Sequence, residues 1–164
     1  MRPLRGRAAA LGLSYRALTE ADLPFVEAMY VSSRLEELAP TGWNDSAKHA
    51  FLVSQHRLQH QHYQTHYRDT EWLIVERDGA AIGRLYLADW PAEIRVVDVA
   101  IAEGSCGQGC GTAILKDVLA TARAAGKPVT IHVEKGNAAA RLYERLGFRL
   151  VEDKGVYDFC RWDP

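Results

Sequence analysis

Residues 104–111 read GSCGQGCG, with four glycines and two cysteines in eight positions. The stretch leaves an apolar run, IRVVDVAIA (94–102), and enters TAILKDVLATARAAG (112–126). In the second run Ile114, Leu115, Val118, Leu119 and Ala122 recur at helical spacing, and Gly126 stands at the stop. The glycines therefore sit where a buried strand turns into a helix. There they let the chain turn tightly and aim several N–H groups at one point. The helix start adds unsatisfied donors and about half a positive charge. Together these make a seat for phosphate or pyrophosphate. A ligand-free glycine turn is the plain alternative, because such motifs also arise by chance. A metal or redox pair is the weakest reading: Cys106 and Cys110 are spaced C-x3-C, and no second ligand pair follows at zinc spacing.

Outward from this stretch the chain alternates strands and helices. LSYRALTEADLPFVEAMYVSSR begins as a short strand; Thr19 then caps a helix, with Asp22 completing a capping box. EELAPTGW (36–43) reads as a loop, and a second helix starts at Asp45 or Ser46 and runs toward Tyr67. EWLIVER (71–77), the turn Asp78–Gly79 and AAIGRLYLA (80–88) form a hairpin. The run 94–102 is more uniformly apolar and so is expected to be central. PVTIHVE (128–134) is a strand, Asn137 caps a short helix to Leu146, and FRLVED and VYDFCRW close as an antiparallel pair. The order is βααβββαβαββ, a mixed α/β sheet with one parallel pair across the 112–126 helix.

At 164 residues the chain has the length of one domain and can bury a core without staples. A net charge of −1 argues against nucleic-acid binding, and no apolar run approaches the roughly 20 residues of a membrane span. The opening MRPLRGRAAALG lacks the apolar core of a secretory signal and reads as a loose tail over 1–12. Three cysteines without an export signal suggest a cytoplasmic protein.

Two phosphate-binding patterns fail. No lysine precedes Thr112, as a Walker loop requires. GQGCGT resembles a dinucleotide fingerprint, with Glu134 near the ribose position, but that fingerprint belongs on the first strand. VAIAEGSCGQGCGTAIL instead resembles the acetyl-CoA signature of the GNAT superfamily of N-acetyltransferases, Gln/Arg-x-x-Gly-x-Gly/Ala. GNAAARLYERLGF (136–148) is similar to that family's second signature, an Asn followed by a helix carrying Tyr and ending in Gly-Phe. The resemblance spans about Leu13 to Trp162 and implies a single domain over 13–164. It implies the GNAT-like acyl-CoA N-acyltransferase fold: a central mixed sheet of six to seven strands with about four helices.

It also implies roles. The main chain of Ile101 and Ala102 would hold the pantetheine arm and thioester of acetyl-CoA. The loop at Cys106, Gly107, Gln108, Gly109, Cys110, Gly111 and Thr112 would take the pyrophosphate, Asn137 would touch the cofactor arm, and Tyr143 would stand near the thioester sulfur. Cys106 occupies the family's Gln/Arg position, so one long polar side chain is missing there. Glu36, Glu37 and Trp43 fall where the family builds its acceptor site. No metal is implied. The partner implied is a small-molecule or peptide amine, and a homodimer is left open.

The chemistry asks for an amine that attacks in its neutral form, a base for its proton and an acid for the departing thiolate. Tyr143 can be the acid; a core tyrosine is its bland alternative. A strand N–H such as that of Ile101 can steady the oxyanion. The base is open among Asp98, Glu134, Glu36 and Glu37, which together suggest an acidic pocket. A non-catalytic acyl-CoA-binding domain and a small nucleotide-binding oxidoreductase are the alternative functions. HRLQHQHYQTHY (56–67) carries His56/His60 and His62/His66 as i, i+4 pairs on different faces. It reads as a polar helix beside the acceptor groove, able to relay protons, rather than as a metal site.

Overall fold

A computed structural model describes residues 4, 6–105, 107 and 109–164. Its helices are α1 (Arg7–Ala10), α2 (Leu23–Arg34), α3 (Asp45–His66), α4 (Cys110–Ala125) and α5 (Ala140–Arg145). Its strands are β1 (Leu13–Ala17), β2 (Thr70–Arg77), β3 (Ala80–Asp89), β4 (Ile94–Ile101), β5 (Val129–Glu134), β6 (Arg149–Asp153) and β7 (Tyr157–Trp162). They form one seven-stranded sheet in the order β1-β2-β3-β4-β5-β7-β6. Only β4 and β5 run parallel; the other neighbours are antiparallel.

Local signals explain most of these elements. Asp78 and Gly79 both take positive φ, 52° and 84°, as a tight hairpin turn requires. The capping box of Thr19 and Asp22 forms, but it closes a 3₁₀ turn (Glu20–Asp22) that leads into α2. Residues 36–43, read as a loop, lie mostly in a second 3₁₀ segment, Leu35–Thr41, before Gly42 turns left-handed. Asn44 caps α3 by accepting from Ala47 N–H at 2.8 Å. All five predicted residues on one face of α4 are buried against the sheet. The helix begins at Cys110, two residues before the expected Thr112, because Gly109 in the left-handed region serves as its N-cap. Conversely, α5 begins at Ala140 rather than after Asn137. Asn137 Oδ1 binds Ala139 N–H at 2.8 Å and holds a turn ahead of the helix.

β4 is central, yet its far half is less buried than β3, and the pairing explains why. β4 meets β5 only at Ile94, Arg95 and Val96, opposite Val129, Thr130 and Ile131. A bulge then intervenes: Leu87 faces Val96 and Tyr86 faces Asp98, leaving Val97 as the extra residue. Beyond it β4 stays with β3 while β5 follows β7, and the two parallel strands part. Gly83 keeps the β3–β4 contact tight on the other side, since a Cβ there would overlap the Ala100 carbonyl oxygen. The split therefore opens in mid-sheet, beside the start of α4.

The stretch 1–12 corrects its reading as a loose tail. Met1, Arg2, Pro3 and Arg5 lie outside the described residues. The rest is docked: Leu4 and Ala8 join the core, and α1 sits on α4. The cause is Asp117, a buried carboxylate on α4 that accepts from Arg7 N–H (2.9 Å), Ala8 N–H (3.3 Å) and the Tyr15 hydroxyl (3.1 Å). Burial and this carboxylate together push the Tyr15 hydroxyl well above the ordinary phenol range. Asp117→Ala strands three donors, so it should lower unfolding free energy by about 2–4 kcal/mol, with Asp117→Asn losing less. Urea unfolding checks this; an unchanged midpoint for Asp117→Ala would show that the docking carries no energy.

Candidate active site

The split between β4 and β5 is a cleft of about 250 Å³ lined by residues from seven helices and strands. β4 contributes Asp98 and Ile101, β3 Arg84, β5 His132 and Glu134, α2 Tyr30 and Arg34, and α5 Tyr143. Asn137 lines it from the turn before α5. A wider cavity, about 670 Å³, continues outward under α3 and is lined by Leu58, His62, Tyr63 and Tyr67. This agrees with the expected polar helix beside a groove. The two histidine pairs do stack, at 6.2 Å and 4.2 Å between ring centroids. They face differently: His56 is buried, while His66 is exposed.

In the turn between β4 and α4, Gly107 and Gly109 take φ values of 75° and 76°, and a Cβ on either would meet nothing within 4 Å. Space is open at this point. Ala113 N–H donates to Gly109 O at 3.0 Å, so the N–H groups of Cys110, Gly111 and Thr112 precede the first bond of the helical ladder. No side chain caps them through Gly109. The uncapped start of a sixteen-residue helix is a fit for an anion. Cys106 and Gln108, also expected in this cradle, lie outside the described residues. Cys110 is a free, buried thiol that receives the Arg77 guanidinium at 2.6 Å. Among the described residues, no group of three or more His, Cys, Asp or Glu could hold a metal ion.

The main chain of Ala102 is largely committed: its N–H donates to Ile82 O at 2.7 Å and its carbonyl accepts from Ser105 N–H at 2.8 Å. Strand alternation turns the main chain of Val99 and Ile101 the other way, into the split. Tyr143 is 6% exposed, with its ring edge-on to Phe148 at 5.7 Å. Its hydroxyl makes no hydrogen bond to a described residue. Burial first, then the negative charges of Asp98 and Cys160, push that hydroxyl up to about 12.

The carboxylates do not make the expected acidic pocket, because each that reaches it meets an arginine. Asp98 binds the Arg84 guanidinium and accepts from the Tyr63 hydroxyl at 3.4 Å. Arg84 is 4% exposed and also donates to Gln59 at 3.1 Å. Arg34 lies between Glu134 (3.3 Å) and Glu37 (3.4 Å). Glu36 and Trp43 are exposed and are not among the residues lining either cavity; Trp43 packs edge-on against Phe51 at 5.4 Å. The structure thus brings Asp98, Ile101, Glu134, Asn137 and Tyr143 together and leaves Glu36 and Trp43 apart. Sequence reading passed over Arg84, Arg34 and His132. Two of these left a trace: Arg84 interrupts an apolar strand, and His132 shares a strand face with Glu134.

The sequence matches the family described as Acetyltransferase (GNAT) family over residues 27–148. No curated protein matches the chain. Solved structures do. A PaiA N-acetyltransferase from Thermoplasma acidophilum in complex with coenzyme A superposes with TM-score 0.68 at 14% identity, over 93% of this chain and 99% of that one. An acetyltransferase from Thermus thermophilus gives 0.66 at 18% identity, over 94% and 98%. An Elizabethkingia anophelis family member with acetyl-CoA bound gives 0.60 at 17%, over 93% and 99%. At these identities the likeness is one of fold.

Proposed function

The chain belongs to the Acetyltransferase (GNAT) family, and we propose that it transfers the acetyl group of acetyl-CoA to a primary amine by direct attack in a ternary complex. One observation carries this reading: the sheet splits into a cleft that holds Tyr143, and the helix that follows β4 starts at an open glycine turn with no side-chain cap from Gly109. Two of the similar structures are described with coenzyme A or acetyl-CoA. Acetyl-CoA supplies an activated acyl carbonyl and a thiolate leaving group.

The chain's residues do the rest. The N–H groups of Gly107 and of Gly109 to Thr112 hold the pyrophosphate, and the main chain of Ile101 holds the pantetheine arm and steadies the oxyanion. Asn137 faces the same arm. Tyr143 donates to sulfur as the carbon–sulfur bond breaks. The amine, carried by a small molecule or a peptide, enters from the wide cavity under α3. Asp98 and Glu134, each held by an arginine, keep the cleft close to charge balance.

The test is an acceptor screen with purified protein and acetyl-CoA, reading CoA release and acetyl gain on the acceptor. Small amines, polyamines and peptides with free N-termini make up the panel. Amine-dependent release is expected. Tight acetyl-CoA binding without release for any acceptor would favour a non-catalytic acyl-CoA-binding domain.

A further inference from the structure

We propose that His132 is the base that takes the attacking amine's proton. This rests on the acetyltransferase reading and deepens it. His132 is the cleft's one imidazole among the described residues, and it lines both the inner cleft beside Tyr143 and the wide cavity under α3. His62 lines only the outer one. Val96 pairs with Ile131, so His132 is the first β5 residue past the last β4–β5 pair, at the vertex where the strands part.

The other candidates are taken. A carboxylate bound to a guanidinium must give up that partner to accept a proton, and Asp98 is bound to Arg84 and Glu134 to Arg34. His132 instead makes no hydrogen bond to a described residue; its ring packs on Phe159 at 4.9 Å. Its charged neighbours come from several elements: Arg95 and Glu93 around β4, Lys154 beside β7, Glu134 two residues along β5, and Arg34 of α2 on the shared cavity wall. Burial, then Arg95 and Lys154, lower its proton affinity, and Glu93 opposes them. The imidazole therefore stays neutral at pH 7, as a base must.

The amine binds in its neutral form. Its nitrogen forms a bond to the acyl carbon, which makes the remaining N–H far more acidic than that of a free ammonium ion. His132 takes that proton and passes it to solvent. The carbon–sulfur bond breaks, sulfur keeps the electron pair, and CoA leaves as the thiolate, hydrogen-bonded by Tyr143, to take a proton from solvent.

The experiment follows kcat against pH at saturating acetyl-CoA and acceptor. Wild type should lose activity as pH falls through a value below the ordinary histidine range of about 6.5. His132→Gln should lower kcat roughly 10²-fold or more at pH 8 and abolish that acid limb. Acetyl-CoA affinity, measured by calorimetry, should hold. Imidazole should partly rescue His132→Ala, an effect that a merely structural role would not produce. His49→Gln, at an exposed position on α3, is the control. Turnover of His132→Gln within threefold of wild type, with the acid limb intact, overturns the proposal. So does a wild-type kcat that is flat from pH 5 to 8, which needs no variant to fold. Wild type that releases no CoA with any acceptor sinks both readings, whereas turnover that survives His132→Gln sinks only this one.

Discussion

Tyr143→Phe should lower kcat by about 10²–10⁴-fold while acetyl-CoA affinity stays nearly unchanged. The substitution removes one oxygen and keeps the ring that packs on Phe148. Since the hydroxyl has no hydrogen-bonded partner among the described residues, its loss strands no group, and the melting temperature should hold. The hydroxyl is pushed up to about 12, so it carries its proton throughout the working pH range. A thiolate has a pKa near ~8.5 by analogy with cysteine, so complete transfer from this tyrosine would be uphill by roughly 5 kcal/mol. In the proposed mechanism the hydroxyl would therefore donate a hydrogen bond to sulfur as charge develops, with no free tyrosinate. The deficit of Tyr143→Phe should then be flat from pH 6 to 9, unlike that of His132→Gln. Thiol release for turnover and calorimetry for affinity make the comparison, on one acceptor. A variant within about threefold of wild type, with chemistry rate-limiting, would remove Tyr143 from the mechanism. Parallel loss of binding, turnover and melting temperature would mark it as a core residue.

Gly109→Glu should abolish stabilisation by acetyl-CoA. In wild type, ligand at ~100 Kd adds about 2.7 kcal/mol, which for a domain of this size raises Tm by roughly 5–10 °C. NAD(H) and ATP should give no shift. The variant places a carboxylate at the head of α4, where the open space around Gly109 would otherwise admit phosphate. Strain is a separate effect. Gly109 sits at φ 76°, and any side chain there costs about 1–2 kcal/mol. Gly109→Ala carries that strain without the charge, so it should melt lower than wild type yet keep most of its acetyl-CoA shift. If Gly109→Glu binds as tightly as Gly109→Ala, the phosphates lie elsewhere. A folded, ligand-free wild type that shows no shift with millimolar acetyl-CoA would overturn the cofactor assignment itself.

The sequence by itself determined the features whose causes lie within a few residues. The buried face of α4 follows from helical spacing, the β2–β3 hairpin from Asp78–Gly79, and the open turn at Gly107 and Gly109 from glycines between a strand and a helix. The two signatures, in their order along the chain, named the family. Other features needed the tertiary structure, because their causes join residues far apart in the chain. Nothing in the valine-rich run of β4 marks Val97 as the extra residue that parts β4 from β5; register depends on both neighbours. Asp117 docks a segment 110 positions away, and the ion pair of Arg34 with Glu134 spans 100. Those distant pairings turned carboxylates that read as candidate bases into partners of arginines. They also left His132, one strand-face position among others in PVTIHVE, as the imidazole at the mouth of the split.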